Sequence, residues 1–166
     1  MAVLPDVLDV NLRVVFCGTA VGRKSADLGL YYAGPGNRFW DVLFRVGLTP
    51  HRLAPQEFRI LKNYGVGLTD LQKHESGPDD ALHFADYDRD TLRDKVAQFA
   101  PSAVAFNGKT AAKEFYRCPR VEYGPQLESM WIARIPVFVL PSTSGAARGY
   151  WDEGYWSRLA DFARCT

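Results

Sequence analysis

The sequence predicts an α/β fold, a three-layer sandwich in which a central, mostly parallel sheet is flanked by helices on both faces. Short apolar runs of strand length recur at Leu12 to Phe16, Ala103 to Phe106 and Val137 to Leu140, and segments of helical spacing alternate with them. Strands that are apolar throughout and separated by helices pair in parallel and are covered on both sides. The first run ends at once in a loop bounded by Gly18 and Gly22. Ligands of open α/β sheets sit at the carboxyl ends of strands, so this loop is the leading pocket candidate.

The elements follow in order. Asn37 is placed to cap a helix over Arg38 to Val46, with Phe39, Leu43 and Val46 on one face and Gly47 as its stop. Trp40 and Phe44 widen that stripe, and its spacing is that of core packing. Pro55 opens a second helix running to Lys62, with Phe58 and Leu61 inward. Gly65 to Leu71 is short, glycine-rich and apolar around a single acid, Asp70, and the HESGPDD segment after it is a surface loop. Asp88 caps a helix carrying Leu92, Val96 and Phe99, which Pro101 closes.

Ala103 to Phe106 is a second buried strand, and the Asn107-Gly108 turn leads into a helix over Lys109 to Tyr116. Met130 to Ile132 and Val137 to Leu140 read as two further strands. A final helix presents Trp151, Tyr155, Leu159 and Phe162 on one stripe. No repeat or low-complexity tract divides the 166 residues, so one domain over 1–166 is expected, burying roughly 70% of the surface of the unfolded chain.

Composition narrows the function. A net charge of +1 excludes a global positive field, so contact with nucleic acid must rest on local patches. The three cysteines, Cys17, Cys118 and Cys165, form no CxxC pair, and His51, His74 and His83 share no ligand spacing. A disulfide framework and a metal site are therefore not expected, nor is a cofactor. No apolar run approaches the roughly 18 residues of a membrane span and no leader pattern opens the chain, which points to a reducing, intracellular, cytoplasmic setting.

The string VVFCGTAVG followed by YYAGPGNRFW resembles the mismatch-specific uracil/thymine-DNA glycosylases, a branch of the uracil-DNA glycosylase superfamily. GVGLTDL, AFNGKTAAKEF and VFVLPSTSG extend the resemblance over most of the chain. It implies DNA containing uracil or mismatched or damaged bases as the partner, no membrane, and a monomer. The four-cysteine iron–sulfur cluster of related branches has no ligands here. One position departs from the pattern: where the family has a loop asparagine that activates water, this chain has Ala20.

Breaking an N-glycosidic bond leaves positive charge on the sugar and negative charge on the departing base, so a site needs a carboxylate or held water, donors for the base oxygens and an aromatic platform. The resemblance implies that Tyr32 stacks on a flipped base and that the Thr19 and Tyr32 N–H groups face its oxygens. Gly18, Thr19, Ala20, Tyr32 and Asn37 form the expected base pocket. Asp70 is the candidate for the lost catalytic group, since resembling branches with alanine in the loop draw an aspartate from another segment. A carboxylate in a partly dry cleft has its pKa raised and suits the task of a base. The competing reading makes Asp70 a turn residue.

Ser142, Ser144, Gly145, Ala146 and Arg148 belong to a loop resembling the one that enters the duplex; Ala146 stands where several relatives have a leucine and fills less of the gap, which leaves Arg148 as wedge or phosphate contact. Arg23, Lys24 and Ser25 are placed to meet phosphates on the same face. Asn107 is assigned a structural role as a turn residue. The leading function is excision of uracil by a monofunctional glycosylase, best from G·U mismatches. With Ala20 in the loop, the alternative is a non-catalytic binder of uracil or damaged bases in DNA.

Overall fold

Strand β1 (Val14–Gly18) is buried at every position and occupies the middle of a five-stranded sheet. In this computed structural model, which describes residues 1–166, the strand order is β2 (Val66–Asp70), β1, β3 (Val104–Asn107), β5 (Val137–Leu140), β4 (Gly124–Pro125). The pairs β2 with β1, β1 with β3 and β3 with β5 are parallel, and the short edge strand β4 runs antiparallel to β5. The α/β sandwich expected from the alternation of elements is the observed architecture.

Side chains alternate across the sheet as the strand period requires. Phe16, Leu68, Ala105, Phe138 and Leu140 face a core shared with α2 (Phe39–Arg45), α5 (Glu153–Arg164) and the N-terminal segment around Leu4 and Val7. Cys17, Val104, Phe106, Val137 and Val139 face a smaller core against α3 (Asp86–Phe99) and α4 (Lys109–Tyr116). Trp156 of α5 stacks on Phe16 with ring centroids 5.3 Å apart, and its indole N–H donates to the Pro141 carbonyl.

Several sequence expectations change. The GVGLTDL segment, given no element from sequence, contains the fully buried strand β2, whose Gly67 lets the Val7 carbonyl approach to 2.8 Å of where a Cβ would stand. Met130 to Ile132 is not a strand: Glu128–Met130 forms a 3₁₀ turn, and Ile132 pairs only locally with Ile135. Arg23–Leu28, likewise given no element from sequence, is a short helix, α1. The segment Pro55–Tyr64 is 3₁₀ rather than α, with Phe58 and Leu61 buried as expected.

Asp88 lies in the first turn of α3 instead of before it, where its carboxylate reaches back to accept from the Ala85 N–H at 2.8 Å. Asn37 does act at the start of α2, its Oδ1 accepting from the Phe39 N–H at 3.0 Å. In α5 the buried stripe is Trp156, Leu159, Ala160 and Ala163, so Tyr155 and Phe162 sit only at its margin and Trp151 precedes the helix.

Candidate functional site

The chain passes from β1 outward to β2 on one side and then crosses to β3 on the other, so the connection reverses direction between β1 and β3. Loops diverge at such a switch point and leave a crevice at the carboxyl ends of the strands. A cleft of about 940 Å³ opens there, bounded by the loops after β1, β2, β3 and β5. Gly18, Thr19, Ala20, Tyr32, Asn37, Asp70 and the Ser142–Ala147 segment all line it, as do Arg23, Lys24 and Ser25 of α1.

Asp70 ends β2 directly opposite Gly18 of β1 in the register. Its Oδ1 is 2.8 Å, and the Tyr32 hydroxyl 3.2 Å, from the point that a Cβ on Gly18 would occupy, so only glycine leaves room for both. The Leu71 and Gln72 N–H groups donate to the Gly18 and Thr19 carbonyls, which locks the segment after Asp70 to the pocket loop. Asp70 therefore neither caps nor turns a surface loop. It is a buried acid, 4% exposed, at the base of the cleft.

Behind it lies a charged network that sequence reading does not reveal. The Lys73 ammonium is 3.3 Å from Asp70 Oδ2 and 2.9 Å from Asp6 Oδ1, and it donates to the Tyr31 hydroxyl at 3.0 Å. Lys95 pairs with the other Asp6 oxygen at 2.6 Å, and Thr69 donates to Asp6 at 2.8 Å. Burial holds the Asp70 carboxyl above the usual carboxylate range, and Lys73 opposes that rise without cancelling it. Burial acts the same way on Asp6, but there Lys73 and Lys95 together win and keep it ionised.

Tyr32 stands across the loop in a left-handed conformation, φ +51°. One ring face stacks on Phe39 at 4.1 Å, while the hydroxyl is buried without a hydrogen-bond partner, its proton held more tightly by burial and by Asp70. The next residue is fixed from α1: Ser25 Oγ accepts from the Ala33 N–H at 2.9 Å, and Ser25 is 5% exposed. Ser25 thus helps to shape the pocket loop. Arg23 and Lys24, by contrast, are exposed. The Thr19 and Tyr32 N–H groups donate to no acceptor within the chain.

Asn107 exchanges two hydrogen bonds with Thr143, giving its Nδ2 proton to Oγ1 at 2.9 Å and accepting from the Thr143 N–H at 3.0 Å. The structural role expected of Asn107 holds, and it fixes the loop after β5. Within that loop Ser142 accepts from the Ser144 N–H and Ser144 from the Ala146 N–H, so both hydroxyls already serve the turn. Gly145 packs on the Pro35 carbonyl, 3.0 Å from its would-be Cβ, and Arg148 Nη2 lies 3.4 Å from that of Gly36. Asp79, Asp80, Thr110, Lys113, Tyr123 and Tyr150 also line the cleft and carry no motif that marks them in sequence.

No group of three or more His, Cys, Asp or Glu side chains is arranged to hold a metal ion, and no helix is long and apolar enough to cross a membrane. Among solved structures, the fold is similar to the solution NMR structure of a candidate uracil DNA glycosylase from Methanosarcina acetivorans. The TM-score is 0.66 at 24% identity, over 97% of this chain and 95% of that one. The family model for the uracil DNA glycosylase superfamily, whose members are DNA N-glycosylases, matches residues 5–163. A match over nearly the whole length, on a fold with its cleft at the switch point, places this chain in the uracil DNA glycosylase superfamily.

Proposed function

We propose that this chain excises uracil from DNA as a monofunctional glycosylase of the mismatch-specific branch, acting best on G·U mismatches, with Asp70 in place of the missing loop asparagine. The observation that carries the reading is the placement of a buried carboxylate at the cleft floor, beside Gly18 and the Tyr32 hydroxyl, while Ala20 contributes no polar side chain.

The chemistry follows from those positions. A flipped uracil enters between the pocket loop and the segment after β5, with the free face of Tyr32 as its platform. The N-glycosidic bond breaks with its electron pair going to N1, and the unused Thr19 and Tyr32 N–H groups donate to the base oxygens, where negative charge gathers. Water adds to C1′ of the sugar cation and passes its proton to the Asp70 carboxylate, whose raised pKa favours that transfer. Uracil and an abasic sugar result. Lys73, the lysine beside Asp70, is engaged by Asp70, Asp6 and Tyr31 and lines the opposite side of that acid rather than the cleft, so no Schiff-base step is assigned to it.

Single-turnover release of uracil from a G·U duplex tests this. Asp70→Asn is expected to slow it by about 10²-fold or more, and an unchanged rate removes Asp70 from the mechanism. Ala20 supports a second reading, a binder of altered bases without turnover. Alkali treatment after incubation separates the two: strand cleavage marks an excised base, and a mobility shift without cleavage marks a binder.

A further inference from the structure

One wall of the cleft is aromatic and basic, and nothing assigned so far uses it. The 3₁₀ turn Gly145–Tyr150 ends in Tyr150, whose side chain is 74% exposed at the cleft edge. The residues before it on that segment are small, from Ser142 through Ala147, and the Arg148 guanidinium lies back against Gly36. Lys109 and Lys113 of α4 and Tyr123 line the same cleft, with Tyr123 near enough to Tyr150 to feel it electrostatically. The Lys109 ammonium is 4.2 Å from the centroid of the Tyr123 ring, and Tyr123 packs on Tyr155 at 5.4 Å, which in turn carries Arg158.

Tyr123 is thus held by its neighbours, whereas Tyr150 offers a free ring on a short, hydrogen-bonded turn. The hydroxyl of Tyr123 is pushed up by burial and by the neighbouring Tyr150 and Tyr155, as expected of rings gathered on one wall. The carboxylates of the cleft, Asp70, Asp79 and Asp80, come from β2 and the segment after it; Asp79 reaches Thr110 of α4, and there Lys109 and Lys113 of the same helix supply two cations to set against that acid. Free aromatic faces next to lysines are the standard means of holding an unpaired strand, because every base has a π-face and every link a charge.

We propose that Tyr150 is the stacking surface for an unpaired base next to the excised one on the same DNA strand, with Lys109 and Lys113 holding the intervening phosphates. This rests on the glycosylase reading and extends it to single-stranded substrate. The enzyme would then hold its target from two sides, the flipped base at Tyr32 and its neighbour at Tyr150, without requiring a complementary strand.

The test uses the full chain with an oligonucleotide carrying 2′-fluoro-deoxyuridine, which resists excision, and 2-aminopurine as the adjoining base on either side. With the single strand, the unmodified protein and Tyr150→Phe are expected to quench 2-aminopurine on one side, and Tyr150→Ala to lose that quenching and bind about 5-fold or more weakly. Tyr150 is exposed, so both variants are expected to keep the melting temperature of the parent, which is measured alongside. Unchanged quenching and affinity in Tyr150→Ala overturn the proposal, as does a loss confined to duplex DNA, which would make Tyr150 a filler of the vacated helix position. Absence of any binding to uracil-containing DNA by the unmodified protein overturns the glycosylase reading as well and so is distinguished from failure of the Tyr150 assignment alone.

Discussion

The Lys73 ammonium sits 3.3 Å from Asp70 and 2.9 Å from Asp6, so one cation is shared between an acid of the cleft and an acid of the N-terminal segment. Asp70, Asp6, Lys73 and Lys95 are the charged groups of this cluster. Lys73 pulls the Asp70 pKa down against burial, so Lys73→Met moves it further up. Under the proposed mechanism, ionised Asp70 is the form that accepts a proton. The acidic limb of the kcat profile is therefore expected to move to higher pH in Lys73→Met, with the plateau rate retained at alkaline pH; an unshifted limb would separate Lys73 from the chemistry.

Asp70 also costs stability at neutral pH. Its pKa in the fold lies above the ordinary aspartate value of 3.8, so the folded state binds that proton more tightly than the unfolded chain does. The stabilisation from this group is complete below about pH 3.8 and is lost as pH rises through the folded value. Asp70→Asn keeps Lys73 paired with Asp6 and is expected to melt higher than the parent at pH 7, with the gap closing in acid. Thermal melts of the pair across pH check the sign.

Gly18→Ala places a methyl group 2.8 Å from Asp70 Oδ1 and 3.2 Å from the Tyr32 hydroxyl. Asp70 and the Tyr32 hydroxyl are buried and both residues line the cleft, so relief requires one of the two side chains to shift within it. A loss of about 1–3 kcal/mol in stability is expected from overpacking, together with a fall in single-turnover rate of about 10-fold or more from displacement of the carboxylate. A variant with parental rate would show that the position of Asp70 is not critical.

For Tyr32 the ring and the hydroxyl are separable. The hydroxyl has no partner, so Tyr32→Phe is expected to be neutral or to stabilise by about 1 kcal/mol while keeping affinity for uracil-containing DNA. Under the glycosylase reading Tyr32→Ala removes the platform and is expected to weaken that affinity by about 1–3 kcal/mol. Binding isotherms for the two variants decide which part of the side chain acts.

The fold was legible where one periodicity was unopposed. β1, β3, β5 and α4 follow from apolar runs and from the glycine or proline that bounds them, and α4 spans Lys109–Tyr116 as its spacing predicts. β2 was not legible because Gly67 and Asp70 interrupt its apolar pattern, and both residues answer to neighbours distant in sequence: Gly67 to Val7, Asp70 to Gly18. Met130 to Ile132 failed for the converse reason, being apolar enough for a strand but lacking a partner beyond its own turn. The pocket loop could be located from its strand and glycines. The Asp6, Lys73 and Lys95 cluster could not, since Asp6 lies more than sixty residues from Lys73 and no local pattern links them. Tyr150 went unmarked because an exposed aromatic after a small-residue turn has no periodicity to report.

Asn107 and Thr143 clasp the ends of β3 and β5 by two hydrogen bonds, and Leu71 and Gln72 do the same for β1 and β2 through backbone alone. A receptor riveted at both margins has little compliance to lend to an incoming nucleotide. Under the glycosylase reading, on duplex DNA the motion then comes from the double helix itself, and the toll of unstacking falls lightest where pairing is already faulty. Under the glycosylase reading, selection among lesions becomes a property of how readily each one lets go of its partner.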